Sequence, residues 1–419
     1  MNAFTNLGLS ESLTQPLEQL GYSEATEVQE RAIPAIIAQR DVLASAQTGS
    51  GKTAAFVLPL LDKLRQVKPA KGRPIRVLCL APTRELAQQI DDNVALFIGE
   101  LPLRHAVIYG GVPIKQQIRD IGNGVDFLIA TPGRLLDLLS QKQLDLSQVE
   151  TLVLDEADRM LDQGFQDQIQ KVLNQLPKQR QNLLFSATFN DKITKFTHGL
   201  LHDPFIVQCQ RLNKAADDVK LIIYEVEQNE KPDIVYYLLA NNTQQCLVFA
   251  RTRRNANLVD AYLREKGMSC AALHSDKSQH LRTQTLQKFK DGDIQILVAT
   301  DIAARGLDIE QLPLVINFDI PRHAEDYVHR IGRTGRAGMR GVAISLMGGD
   351  ERSNVAAIEK LIQQQIFIAA IPYIDSNNSF EYDSEIIASA SSIQPRKINK
   401  PSGISRRKTS TKPGKPRAR

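Results

Sequence analysis

The sequence has no uninterrupted apolar stretch of the roughly 18 residues that a membrane-spanning helix needs. Its start, MNAFTNLGLSES, lacks the basic-then-apolar order of a secretion signal. The expectation is a cytoplasmic protein with no membrane partner. Cysteine is scarce, with four in 419 residues. Cys79, Cys246 and Cys270 each sit in an apolar strand-like run and Cys209 stands apart, so there is no CxxC metal or redox pair and reduced thiols are expected. Acidic residues are absent from one region. Ile386 to Arg419 holds ten Lys or Arg and no Asp or Glu, which leaves 42 basic against 47 acidic groups in the remainder. A mildly acidic body with a basic, aperiodic tail is suited to seek phosphate, because each neutralised phosphate releases condensed counterions.

A chain of 419 residues, 42% apolar, exceeds one ordinary core and suggests two or three domains. Short runs of Val, Ile and Leu alternate with helical patterns such as ELAQQIDDNVALFIGEL, the signature of βαβ units and a parallel sheet. A faint duplication overlies this rhythm. VLCLAPTR resembles CLVFARTR, FLIATPGR resembles ILVATDIAARG, and Thr83 to Thr252 and Thr131 to Thr300 share one offset of 169. TLVLDEAD is likewise answered by LPLVINFD. Similar strands in one order at one spacing imply two tandem doubly wound α/β domains. The expected boundaries are 1–207 and 219–374, with a linker at 208–218 and a disordered basic tail at 375–419.

In DVLASAQTGSGKTAAFVLPLL an apolar run leads into a glycine loop and then a helical pattern. Thr48, Gly49, Ser50 and Gly51 supply a loop whose backbone N–H groups curl round phosphate oxygens. Lys52 meets the outer phosphates, and the Thr53 hydroxyl holds magnesium. Ala46 stands where the strict motif has its first glycine. Asp155-Glu156-Ala157-Asp158 follows the strand TLVL, at the sheet edge where α/β folds bind ligands. Asp155 is expected to reach the metal, through water, and Glu156 to orient and deprotonate the attacking water. Far downstream stands HRIGRTGR, residues 329–336. Its glycines, Gly332 and Gly335, each cost a helix roughly 1 kcal/mol relative to alanine, and its planar arginines suit transition-state charge on a γ-phosphate. The second copy has no P-loop of its own, so these arginines serve the nucleotide of the first.

AQTGSGKT, PTREL, TPGR, DEAD, SAT, ARGLD and HRIGRTGR, in this order, resemble the motifs of DEAD-box RNA helicases across residues 4 to 372. The basic tail resembles the bacterial RhlE-like group. The resemblance implies RecA-like domains, ATP and Mg2+ as cofactors, and RNA-stimulated ATP hydrolysis with local unwinding of short duplexes by a monomer. It also implies work in ribosome assembly or RNA decay and partner proteins from those processes. By the same resemblance Gln29 bonds the adenine edge with Phe4 stacking near it. Asp308 touches the ribose, Arg333 and Arg336 meet the γ-phosphate, and His329 links to the first domain. Ser186 and Thr188 couple hydrolysis to unwinding. The similar RNA-binding positions are Arg84, Gly110, Gly111, Thr131, Arg134, Thr252, Gln279, Arg282 and Thr300. These are hydroxyls, backbone donors and cations with little aromatic interleaving, a set that grips phosphates and sugars without reading bases. Ala250-Arg251 departs from the family's usual small apolar residue and Asn or Ser. Rival readings are a DNA translocase with the same P-loop and arginines, a non-enzymatic RNA annealer, and a nucleotide kinase. The kinase has no use for the second copy or HRIGRTGR.

Overall fold

The central apolar runs become strands buried on both faces, while edge strands such as Phe205–Gln208 and Phe367–Ala369 are partly exposed. The structure, a computed structural model, describes residues 3–46, 49–67, 72–189, 191–209, 219–240, 244–304, 309, 312–335 and 341–369. The first sheet comprises β1 (Val42–Ser45), β2 (Val77–Leu80), β3 (His105–Ile108), β4 (Phe127–Ala130), β5 (Thr151–Leu154), β6 (Gln181–Ser186) and β7 (Phe205–Gln208). The second comprises β8 (Val219–Glu225), β9 (Cys246–Ala250), β10 (Cys270–Leu273), β11 (Ile296–Thr300), β12 (Leu314–Asn317), β13 (Gly341–Met347) and β14 (Phe367–Ala369). The strand pairs are parallel throughout.

The sheet orders are β3-β4-β2-β5-β6-β1-β7 and β10-β11-β9-β12-β13-β8-β14. Taking β8 for β1, β9 for β2 and so on, the second order repeats the first strand for strand. Two seven-stranded doubly wound domains therefore stand in tandem, as the internal duplication implies. Alternation divides each strand between two cores: Val77 and Cys79 of β2 face one cluster, Leu78 and Leu80 the other. In β9 Cys246, Val248 and Ala250 face one layer and Leu247 and Phe249 the opposite one. Burial on both faces explains why these strands read as continuous apolar runs.

The repeat extends to the caps. The Thr83 side chain accepts from Leu86 N–H at the start of helix Arg84–Ile98, and Thr252 accepts from Asn255 N–H at the start of helix Arg253–Glu265. Each cap satisfies a backbone donor that the first helical turn leaves orphaned. All four cysteines are free. Among the described residues no helix is long and apolar enough to cross a membrane. Most of the expected linker and all of the expected basic tail lie outside the described residues.

Candidate functional site

The chemistry-bearing residues gather at the carboxyl ends of the strands, where doubly wound sheets open a crevice. β1 runs into the glycine loop, β5 into Asp155, β6 into Ser186, β4 into Thr131, β9 into Thr252, and β11 ends on Thr300. The two carboxyl edges face one another across a cleft of about 1020 Å³, to which Asp158 and Thr188 contribute from the first domain and Thr252, Thr300 and His329 from the second.

Gly51 caps helix Lys52–Arg65 with φ 87°, a left-handed conformation that a side chain resists. A Cβ there would also collide with the Gln29 amide. Gln29 is 2% exposed. Its carbonyl accepts from Thr26 N–H at 3.0 Å and its amide donates to the Gly51 carbonyl at 3.1 Å. Gln29 thus clasps the phosphate loop, and what remains for a base edge is its second amide hydrogen and second lone pair. The Lys52 ammonium donates to the Ala46 carbonyl at 2.6 Å, within the loop itself. Burial pushes its pKa down, against the pull of Asp155, Glu156 and Asp158. Ala46 in turn donates its N–H to the Ser186 carbonyl at 3.1 Å, which ties the loop to β6.

Asp155 is 2% exposed, and its carboxylate accepts from Glu156 N–H at 2.9 Å. Burial raises its pKa to about 7; Lys52 opposes the rise while Glu156 and Asp158 add to it. Lys52 and Asp155 are therefore both driven toward neutrality by the dry pocket, and a phosphate and a cation respectively would restore their charges. Glu156 adopts φ 52°, ψ 49°, a left-handed backbone rare outside glycine. A conformation of this kind costs about 1–3 kcal/mol and persists at functional sites.

Asp158, within the DEAD tetrapeptide but given no role of its own by sequence reasoning, is the junction of the first-domain site. One of its oxygens accepts from Ala187 N–H at 3.1 Å, Thr188 N–H at 3.1 Å and the Thr188 hydroxyl at 3.0 Å. Ser186 closes the turn by donating its hydroxyl to the Thr188 carbonyl at 2.7 Å. The loop after β5 and the loop after β6 are thus tied together, and Thr188 and Asp158 both border the cleft.

A second cluster lies along the rim. Arg134 donates to Gln117 at 2.8 Å and to the Val112 carbonyl at 3.1 Å, bracing the Gly110-Gly111 turn. Arg84 packs against that turn so closely that a Cβ on Gly111 would overlap its guanidinium. Arg84 also donates across the domains to the Gln279 carbonyl at 3.4 Å, and Gln279 donates to Glu85 at 3.0 Å. Arg282 completes the bridge with an ion pair to Glu85 at 2.8 Å, both side chains 9% exposed. Glu85 escaped sequence reasoning because its partners lie almost 200 positions away. The structure thus brings Arg84, Gly110, Gly111 and Arg134 together, and sets Gln279 and Arg282 against them. Thr131 caps helix Pro132–Ser140 at the same edge.

Two further expected nucleotide-site residues are buried. Phe4 is 0% exposed and belongs to a first-domain core cluster, with its ring edge-on to Tyr22 at 6.4 Å. Phe4 is apolar enough to belong wholly to the core, and the core takes it. Arg333 is 2% exposed. Arg330, not singled out from sequence, is fully committed to structure: it pairs with both oxygens of Asp301 at 2.6 and 2.7 Å and stacks over Phe249. Thr48, Asp308 and Arg336 lie outside the described residues.

Residues 26–196 match the family model described as DEAD/DEAH box helicase, and residues 230–338 match the helicase conserved C-terminal domain. The chain is 39% identical over 367 residues to the ATP-dependent RNA helicase CshA of Listeria monocytogenes, covering 87% of this chain and 70% of that protein. It is 38% identical over 376 residues to the DEAD-box ATP-dependent RNA helicase RhpA of Helicobacter pylori, covering 90% and 75%. Among solved structures, S. cerevisiae Dbp5 bound to RNA and ADP BeF3 superposes with a TM-score of 0.79 at 30% identity, covering 88% of this chain and 96% of that one. With the strand order, the phosphate loop and the joined DEAD and SAT turns in their places, the chain belongs to the DEAD-box family of ATP-dependent RNA helicases.

Proposed function

We propose that the protein hydrolyses ATP in the interdomain cleft and uses the closure of its two domains to grip RNA and locally unwind short duplexes. One observation carries this reading. The Asp158 carboxylate binds the SAT turn and borders the same cleft as Thr252, Thr300 and His329 of the other domain. A change at the nucleotide is thereby transmitted to the groups that face RNA.

In the hydrolytic step a water oxygen forms a bond to the γ-phosphorus. The bond from that phosphorus to the β,γ-bridging oxygen breaks with its electron pair leaving on ADP, and the water proton passes to Glu156. Lys52 and the glycine loop hold the phosphates, Gln29 fixes the loop against the base, and Arg333 with Arg336 answers the developing charge. Asp308 completes the nucleotide site at the ribose, and His329 senses closure. Among the described residues no group of three or more His, Cys, Asp or Glu side chains could cage an ion. A sparse set suits magnesium that brings phosphate and water ligands of its own, and Thr53 with Asp155 would hold it. When bound, that ion neutralises phosphate charge.

Arg84, Gly110, Gly111, Thr131 and Arg134 of the first domain and Thr252, Gln279, Arg282 and Thr300 of the second form the RNA face. Cations, hydroxyls and backbone donors bind phosphate and ribose, so binding is independent of sequence. Arg282 and Gln279 reach this role by exchanging their contact with Glu85 for RNA, or by keeping it while their exposed faces meet the strand. The protein works as a monomer, on ribosome-assembly or decay intermediates that crosslinking followed by sequencing would identify.

The test is phosphate release with and without single-stranded RNA. Turnover should rise with RNA and with RNA duplexes more than with DNA of equal sequence; equal rates with and without RNA would end the coupling. Glu156→Gln should slow hydrolysis by roughly a hundredfold or more while retaining RNA in the presence of ATP.

A further inference from the structure

Arg159 follows the DEAD tetrapeptide on the short helix Ala157–Asp162. Its Nη1 donates to Glu156 Oε2 at 2.8 Å, and the two side chains are 4% and 6% exposed. Glu156 is the left-handed N-cap of this helix and Arg159 lies in its first turn, so the pair closes across the helix start; the unusual feature is what lies beyond it. Arg159 Nη2 is buried and has no hydrogen-bond partner, and Arg159 borders the interdomain cleft together with Asp158, Thr188 and His329. A buried ion pair contributes little net stability even when every donor is satisfied, and an unpartnered buried donor is a further cost. Arrangements of this kind are explained when a ligand completes them.

We infer that Arg159 is a positioning residue for Glu156, a role that rests on the reading of Glu156 as the group that orients the attacking water. Holding the carboxylate through Oε2 alone leaves Oε1 for water. The left-handed backbone of Glu156 swings the side chain toward Arg159, and the ion pair then fixes its rotamer. Nη2 receives its partner when the cleft is filled, from an oxygen of the bound nucleotide and water set. Nη1 thus holds the base aligned, and Nη2 is the donor left for a ligand oxygen. The geometry demands a charged donor of arginine's length at 159 for rate, and nothing there for affinity.

The experiment uses the full chain and RNA-stimulated phosphate release. Arg159→Gln should lower kcat by roughly tenfold to a hundredfold, the scale of a misoriented reacting group, while KM for ATP and the RNA concentration at half-maximal rate stay within about twofold. Arg159→Lys, which keeps a charge but not the fork, should recover part of the loss. In single turnover, adding Arg159→Gln to Glu156→Gln should cost nothing further, because a residue that acts only through Glu156 has nothing left to position. Unchanged kcat in Arg159→Gln, a loss carried by KM, or a full additional loss in the double variant would each overturn the inference. If Arg159→Gln fails to fold, the Arg159→Lys pair of measurements decides the same question. Should Glu156→Gln itself keep turnover, the broader reading falls with this one; a slow Glu156→Gln beside a normal Arg159→Gln sinks this one alone.

Discussion

The two domains repeat one strand order but treat the same position in opposite ways. In each, a lysine opens the helix that follows the sixth-placed strand of the sheet: Lys52 after β1 and Lys231 after β8. Both are buried. Lys52 lies among Asp155, Glu156 and Asp158 beside a glycine loop, with a backbone carbonyl as its hydrogen-bond partner. Lys231 instead donates to Glu351 at 3.2 Å, and the other Glu351 oxygen pairs with Arg251 at 3.4 Å. Asp319, the counterpart of the DEAD acids at the end of β12, accepts from Arg251 N–H at 2.8 Å and Asn255 at 3.0 Å. In the first domain the buried lysine lies beside a glycine loop and donates to its backbone; in the second it is closed directly on a carboxylate. A fold that binds nucleotide and a fold that merely supports differ here by a loop and a handful of counter-charges.

The sharpest way to break this comparison is to remove the lysines one at a time. Lys52→Ala should reduce RNA-stimulated turnover by roughly a hundredfold to a thousandfold, whereas Lys231→Met should leave turnover per folded molecule within about twofold. Loss of phosphate release in a folded Lys231→Met protein would show that the second site is not silent. Stability should behave in the reverse sense. Lys231→Met strands part of a buried carboxylate and should lower unfolding free energy by about 3 kcal/mol in denaturant titration, with the Lys231→Met, Glu351→Leu pair recovering more than half.

A smaller effect is expected from pH. Burial raises the Asp155 pKa from 3.8 to about 7 in the folded chain. The unfolded state therefore releases this proton first, and the group's contribution to stability falls as pH rises from about 4 to about 7. Asp155→Asn should accordingly gain melting temperature relative to the parent across that window, in the absence of nucleotide and metal, and the gain should level off above it. A gain that shrinks with rising pH would contradict the dry, cation-seeking pocket. The mildest change is Glu85→Gln, which weakens the bridge to Arg282 and should raise the half-maximal RNA concentration or lower it by no more than about fivefold, near 1 kcal/mol. Its direction separates a bridge that aids RNA binding from one that competes with it.

Much of this was legible before any coordinate. The duplication, read from the offset between Thr83 and Thr252, has its counterpart in two sheets of one order, because matched apolar runs and matched caps rebuild matched local structure. The glycine loop and the DEAD carboxylates stand at strand ends, where an apolar run that stops at polar residues must put them. What sequence could not supply is pairing over distance. Nothing near Glu85 indicates that Gln279 and Arg282 will meet it, and nothing near Lys231 indicates Glu351. Sequence reasoning gave Arg159 no role, and its burial and its unpartnered nitrogen are what mark it out.

Gly111 turns on φ 81° directly beneath the Arg84 guanidinium, and Arg84 is one of the side chains that reaches the opposite domain. The absence of a side chain at 111 is what lets the guanidinium lie where it meets Gln279. A methyl group there would push the flexible end of Arg84 aside and take away one strand of the bridge, leaving the Arg282–Glu85 pair to join the rim.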